Sequence, residues 1–371
     1  MAGYPADTWA IPCRGTNRYR NPVRHSTVLV AVTAGTDGVP GTLTVVASRM
    51  RGRSSMTIDD FAANLEAIVT NVEQVIQGKR DTITMAVLCM LAEGHLLIED
   101  VPGTGKTSLA KALAASLGGK WNRIQFTPDL LPSDVTGVTV FSRATSSFEF
   151  RPGGIFANVV LGDEINRASP KTQSALLEAM EERTVTVDAT SYVLPSPFMV
   201  IATQNPVEHE GTYPLPEAQL DRFLLKIGMG YPSREAEIDM LDAHAGADPM
   251  SGVEPVVTTD DIESMIDLCR TVHMAPSLKG YVVDLAAATR RHPALSLGVS
   301  PRGCLSLQRA ARARAASVGR DYVVPDDLKA LTGPVLEHRM VLTPEASLGG
   351  STTADLLRQC LAGVPVPTTR A

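Results

Sequence analysis

From Ile58 onward apolar residues recur at three- and four-residue spacing, with Phe61, Leu65, Ile68 and Val72 falling on one side of a helix. A second helical stretch covers 83–91. Residues 95–99 then form a short apolar run that leads into a glycine-rich turn, and helical spacing resumes over 106–117. Further short apolar runs at 123–126, 158–161, 198–203 and 224–227 predict strands, with helical stretches between them. One of those helices starts at Ser169 and Pro170 and is amphipathic over 171–182. Strands separated by helices predict the α/β class, with a parallel sheet covered on both faces. Two polar turns interrupt the order and predict hairpins, one joining 138–141 to 147–150 and the other joining 184–187 to 192–194. After Pro232 strands are no longer expected, and 236–244, 259–273, 277–291, 302–318 and 325–332 all read as helices.

This pattern divides the chain into an α/β core over 56–231, an all-helical domain over 232–345 and a flexible tail over 346–371. Residues 1–55 stand apart. They hold seven arginines, no lysine and two acids, a charge of +5 that leaves -11 for the remainder of a chain whose total is -6. Their Gly, Pro, Thr and Arg content and lack of period predict disorder, and Met56 offers itself as an alternative start just before a well-formed helix. The apolar stretch at 27–34 is too short and too poorly followed to predict export. No run approaches the ~18 apolar residues of a membrane helix.

The 44% apolar content of the 371 residues supports a large core. The acidic balance argues against a dedicated nucleic-acid binder. Cys13, Cys89, Cys269, Cys304 and Cys360 are scattered and odd in number, so neither a disulfide framework nor a zinc site is expected, and a reducing, cytoplasmic setting fits them. The seven histidines show no metal-ligand spacing. Arg309, Arg312, Arg314 and Arg320 read as a solvated helix face or an interface between subunits.

The chemistry concentrates in two places. Asp100-Val-Pro-Gly103-Thr104-Gly105-Lys106-Thr107-Ser108 follows a strand and opens a helix, and it fits a P-loop except that Asp100 stands at the first glycine. In that context successive N–H groups cradle phosphate oxygens at a positive helix end. Lys106 supplies charge for the β- and γ-phosphates, and Thr107 a hydroxyl for Mg²⁺. The second place is the apolar run at 159–162, which ends in Asp163 and Glu164. After a P-loop this reads as a Walker B strand, with Asp163 beside Thr107 on the metal and Glu164 directing the attacking water. ATP and Mg²⁺ are therefore the expected ligands.

Together, Gly103-Thr-Gly-Lys-Thr107, Asp163-Glu-Ile-Asn-Arg167-Ala168, Leu176-Leu-Glu-Ala-Met-Glu-Glu182 and Leu215-Pro-Glu-Ala-Gln-Leu-Asp-Arg-Phe223 resemble the MoxR family of AAA+ ATPases. The match continues in Ser300-Pro-Arg302 and Gly319-Arg-Asp-Tyr322, and spans roughly 57–342. The resemblance implies an αβα P-loop core, a small all-α lid and a homo-oligomeric, hexameric ring. It likens the two hairpins to the helix-2 insert and the pre-sensor hairpin. It assigns Asn205 as first sensor, Arg222 as an arginine finger acting between subunits, Arg302 as second sensor, and Gln77-Gly78 as the segment against adenine. Taken singly, Arg222 also reads as a surface partner of Asp221, and Arg302 as an arginine just inside a helix start. Two departures stand out: Gly154 where the family often has proline, and Gly162 where it often has alanine.

The resemblance implies an ATPase that remodels or matures another protein, often one with a von Willebrand factor A domain. Two other readings compete with it: a nucleic-acid motor, weakened by the acidic core, and a nucleotide-gated scaffold.

Overall fold

Thr57 starts the first helix. Its hydroxyl accepts the Asp60 N–H at 3.1 Å while the Asp60 carboxylate accepts the Thr57 N–H at 3.1 Å, a capping box that opens α1 (Ile58–Glu73). The computed structural model describes residues 56–101, 103–205, 212–244 and 249–367. The expectation of a disordered extension over 1–55 lies outside them.

The chain continues through α2 (Arg80–Leu91), β1 (Leu96–Glu99), α3 (Lys106–Ser116), β2 (Trp121–Gln125) and the short α4 (Pro132–Thr136). The hairpin β3 (Gly137–Ser142) and β4 (Ser147–Pro152) comes next, then β5 (Val159–Asp163) and α5 (Pro170–Glu182). A second hairpin, β6 (Thr184–Val187) and β7 (Thr190–Val193), precedes β8 (Met199–Gln204), the one-turn α6 (Glu217–Leu220) and β9 (Leu225–Ile227).

Five strands form one parallel sheet in the order β2-β5-β8-β1-β9. Alternate residues of each strand supply its two faces. Leu96, Ile98, Val159, Leu161, Met199 and Ile201 belong to the apolar cluster shared with α1, α2 and α3. Leu97, Val160, Val200 and Ala202 belong to the other, with Leu176 and Leu177 of α5. In register, Gln125 pairs with Asp163 and Glu99 with Gln204, so β1, β2, β5 and β8 end along one edge. Open parallel sheets bind ligands beyond that edge. Both expected hairpins form, and they touch where the Phe150 and Tyr192 rings stack with centroids 3.8 Å apart.

The two departures from the family pattern have local causes. A Cβ at Gly162 would sit 3.3 Å from the Phe126 ring, which occupies the space. The Gly154 N–H donates to the Asp134 carbonyl at 3.2 Å, a bond proline cannot make.

The helical part comprises α7 (Arg234–His244), α8 (Thr259–Thr271), α9 (Pro276–Arg291), β10 (Leu295–Leu297), α10 (Pro301–Ser317), α11 (Pro325–Leu336), β11 (Val341–Leu342), α12 (Pro344–Leu348) and α13 (Thr353–Gly363). Two expectations are corrected here. Strands do not cease after Pro232, because β10 and β11 pair antiparallel. Nor is 346–371 a flexible tail throughout: Thr352 caps α13, which buries Leu356, Leu357 and Cys360. The apolar cluster beneath α1 and α2 continues without a break through Met265, Leu278, Leu307 and Leu331 of these helices to Leu356 and Leu357.

Candidate active site

Gly103 and Gly105 take φ of +86° and +89°, a region that side chains with a Cβ rarely enter, and Gly105 caps the N-terminus of α3. The turn and the positive end of α3 therefore face the edge where β5 and β8 finish. Here a cleft of about 430 Å³ is lined by Gly103, Gly105, Lys106, Thr107, Ser108, Asp163, Glu164 and Asn205, so most of the sequence-assigned site residues meet in one place. Thr104 turns its hydroxyl to the Val101 carbonyl at 3.3 Å. The Lys106 ammonium donates to the carbonyls of Asp100 and Val101 at 2.9 and 2.8 Å. Burial lowers its pKa, and the negative charges of Asp100, Asp163 and Glu164 oppose that shift.

Asp100 bonds to backbone amides of two separate segments. One carboxylate oxygen accepts the Val101 N–H at 2.7 Å, and the other accepts those of Met229 and Gly230 at 2.7 and 2.5 Å. The residue that breaks the P-loop pattern thus ties the start of the glycine-rich turn to the segment leading into α7.

Across the cleft, the Walker B acids are held by groups that sequence reasoning missed. The Thr203 hydroxyl, on buried β8, donates to Asp163 at 2.7 Å and accepts the Glu164 N–H at 2.9 Å. Arg123 of β2 donates to the other Asp163 oxygen at 2.6 Å. Gln125 and Arg167 donate to Glu164 at 3.0 and 2.9 Å. Glu164 itself sits at φ +56°, a left-handed conformation that costs a non-glycine residue about 1 kcal/mol or more. Thr203, Arg123 and Gln125 lie about 40 positions from their partners, and only the strand register brings them together.

Thr107 and Asp163 both line the cleft and offer a hydroxyl and a carboxylate, hard oxygen donors of the kind Mg²⁺ takes. Gln77 and Gly78 are not part of the cleft lining. They follow Ile76, whose Cδ1 lies 3.3 Å from where a Gly105 Cβ would be, so the segment abuts the phosphate-binding turn from the α7 side. The Gln77 side-chain Oε1 is buried with no partner among the described residues.

Arg222 and Arg302 do not reach this cleft. They line a separate cavity of about 170 Å³ between the end of α5 and the start of α10. There Arg222 lies 3.2 Å from one Glu181 oxygen, and Arg302 bonds the other. Asp221 is not the partner of Arg222, as its neighbour in sequence suggested. It accepts from Arg339 at 2.8 Å and from the Ser300 hydroxyl. The remaining lid arginines divide: Arg320 and Arg314 face Asp327, while Arg309 lines the cavity with Arg302.

Comparison with known proteins adds to this geometry. Residues 95–225 match the model of the ATPase family associated with various cellular activities (AAA), and 287–360 match the AAA lid domain. Chaperone MoxR1 of Mycobacterium tuberculosis is 39% identical over 316 residues, covering 83% of each chain. YeaC of Bacillus subtilis is 50% identical over 313 residues, covering 84% of this chain and 98% of that protein. A crystallised ATPase candidate from Cytophaga hutchinsonii superposes with a TM-score of 0.79 at 36% identity, over 84% of this chain and 97% of that one.

Proposed function

The chain belongs to the MoxR family of AAA+ ATPases, and we propose that it is a Mg²⁺-dependent, ring-forming member whose ATP hydrolysis remodels or matures a partner protein. The observation that carries the proposal is the split of the catalytic set. Lys106, Thr107, Asp163 and Glu164 share one cleft, while Arg222 and Arg302 sit together in another cavity of the same chain. Two arginines that do not line their own chain's cleft are suited to a neighbour's, and a closed ring of protomers gives every cleft such a pair.

In this reading the amides and helix end at 103–108 bind the phosphates, and Lys106 leaves its two carbonyl partners for the β- and γ-oxygens. Thr107 and Asp163 would hold the metal, which when bound neutralises charge building up on the transferring phosphoryl group. Glu164 accepts a proton from the attacking water, and Asn205 orients that water. Thr203 fixes both acids. Ile76, Gln77 and Gly78 border the adenine. Arg222 and Arg302 of the adjacent protomer stabilise the transition state, a contribution of about 10³–10⁵ in rate in related systems.

Among the described residues no helix is long and apolar enough to cross a membrane. Free Cys89, Cys269, Cys304 and Cys360 support a cytoplasmic setting. The partner is proposed to be a protein with a von Willebrand factor A domain. The hairpin face bearing Phe141 and Phe148, 56% and 74% exposed, is the surface offered to it.

Subunit mixing tests the core of this reading. Lys106→Ala and Arg222→Ala chains should each be nearly inactive alone. Mixed, they should recover ATPase activity, because some interfaces pair an intact cleft with an intact arginine. No recovery, with both variants assembling normally, would place Arg222 with its own cleft.

A further inference from the structure

The motif Leu176-Leu-Glu-Ala-Met-Glu-Glu182 has no task in the mechanism above, yet its Glu181 is the carboxylate on which Arg222 and Arg302 converge. We propose that Glu181 is a positioning residue that holds these two arginines in reserve and yields them only to the terminal phosphate of a neighbour's ATP. The proposal rests on the reading that Arg222 and Arg302 act between protomers.

Three separate elements build the contact. Glu181 ends α5, Arg222 precedes β9, and Arg302 opens α10, so residues 121 positions apart meet through folding alone. Each carboxylate oxygen takes one guanidinium, which leaves Glu181 fully engaged and the trio with a charge of +1. The three side chains are 30–37% exposed, so an incoming anion can reach them.

The surroundings favour an anion. Arg183 and Arg309 line the same cavity, and the Arg183 guanidinium donates to the carbonyls of Glu93 and Phe198. The other two acids there are engaged elsewhere, Glu93 by Arg270 and Asp221 by Arg339. Within this cavity Glu181 is therefore the acid that pairs with Arg222 and Arg302. A terminal phosphate carries more charge than a carboxylate and presents three acceptor oxygens, so it displaces Glu181 from both arginines. A diphosphate ends one phosphoryl group short and leaves the trio intact. Glu181 thus sets a threshold that only the triphosphate passes.

Glu181→Gln in the full chain tests this. Partly exposed ion pairs are weak, so removing two of them should lower the half-saturating ATP concentration in the ATPase assay roughly 3- to 10-fold. Light scattering on a sizing column should show assembly in ADP rising relative to assembly in ATP. Glu181→Asp, which keeps a shorter carboxylate, should fall between parent and Gln variant. Half-saturation and ADP response equal to the parent's would overturn the proposal. So would a raised half-saturation with slowed turnover resembling Arg222→Ala, because Glu181 would then orient the arginines during catalysis. Parent-like turnover in Arg222→Ala and Arg302→Ala would instead remove the inter-protomer reading. If those two collapse while Glu181→Gln matches the parent, only the Glu181 proposal falls.

Discussion

Asp100 reaches the backbone of Met229, accepting its N–H at 2.7 Å across the junction between the phosphate-binding turn and the helical lid. The same carboxylate binds Val101 and Gly230, so one side chain gathers amides from two segments almost 130 positions apart. Asp100→Gly restores the usual P-loop residue and removes all of these acceptors. Bonds to a charged acceptor contribute about 1.5–3 kcal/mol each, and relaxation recovers part of that. The variant should melt at a lower temperature. Its turnover should fall more than its nucleotide affinity, because the cradle amides remain. Fluorescent-nucleotide titration beside steady-state hydrolysis checks the split.

Thr203 organises the Asp163 side of the cleft from a buried position. Thr203→Val keeps the shape but leaves the Glu164 N–H without its acceptor and one Asp163 oxygen without its donor. A drop in turnover of about tenfold, near 1.4 kcal/mol in the barrier, is expected, together with a higher Mg²⁺ requirement. A magnesium titration of the ATPase rate measures both. Equal Mg²⁺ curves for variant and parent would show that Thr203 does not set the position of Asp163.

Two histidines make stability depend on pH. His95 accepts the Val200 N–H on Nδ1 and donates from Nε2 to the Met180 carbonyl, each at 3.0 Å, and burial, then Arg183, pushes its pKa down to about 3. His338 donates to the Phe223 carbonyl at 3.1 Å; burial, then Arg339, lowers it also to about 3. An unfolded histidine titrates near 6.5, so between pH 6.5 and 3 the unfolded chain binds protons that the native one does not. The stability that both neutral rings support is present above pH 6.5 and is lost as pH falls toward 3. Each ring contributes up to ~1.4 kcal/mol per pH unit. Urea melts at pH 7, 6 and 5 should show the slope, and His338→Gln should reduce it by about half.

The last helix is structural. Leu357 is 2% exposed and packs into the shared apolar cluster, so Leu357→Ala should cost about 2–4 kcal/mol. A chain truncated after Gly350 should lose at least as much. An unchanged melting temperature in either case would mean that α13 contributes nothing to the core.

What the sequence made legible follows from how each feature is encoded. The phosphate-binding turn depends on backbone shape, and Gly103, Gly105 and Lys106 encode it within a few positions. The strands that lead to Asp163 and Asn205 are buried on both faces, so their apolar runs stand out. The supports of the acids were hidden because Thr203, Arg123 and Gln125 act across strands, and nothing near them in the chain marks the pairing. The Glu181 trio was hidden for the same reason. α13 had a local mark, Thr352 three positions before Asp355 ahead of two leucines, but so short an apolar stripe does not stand out from a polar terminus. The β10–β11 pair has strands of three and two residues, too short for alternation to show.

The unbroken apolar cluster from α1 and α2 through the lid has a mechanical consequence. Because side chains of both halves share one buried cluster, the lid is no loosely hinged flap, and a protomer should behave as a stiff body that melts in one calorimetric transition. In the ring proposed above, any power stroke would then be generated by whole subunits tilting against one another.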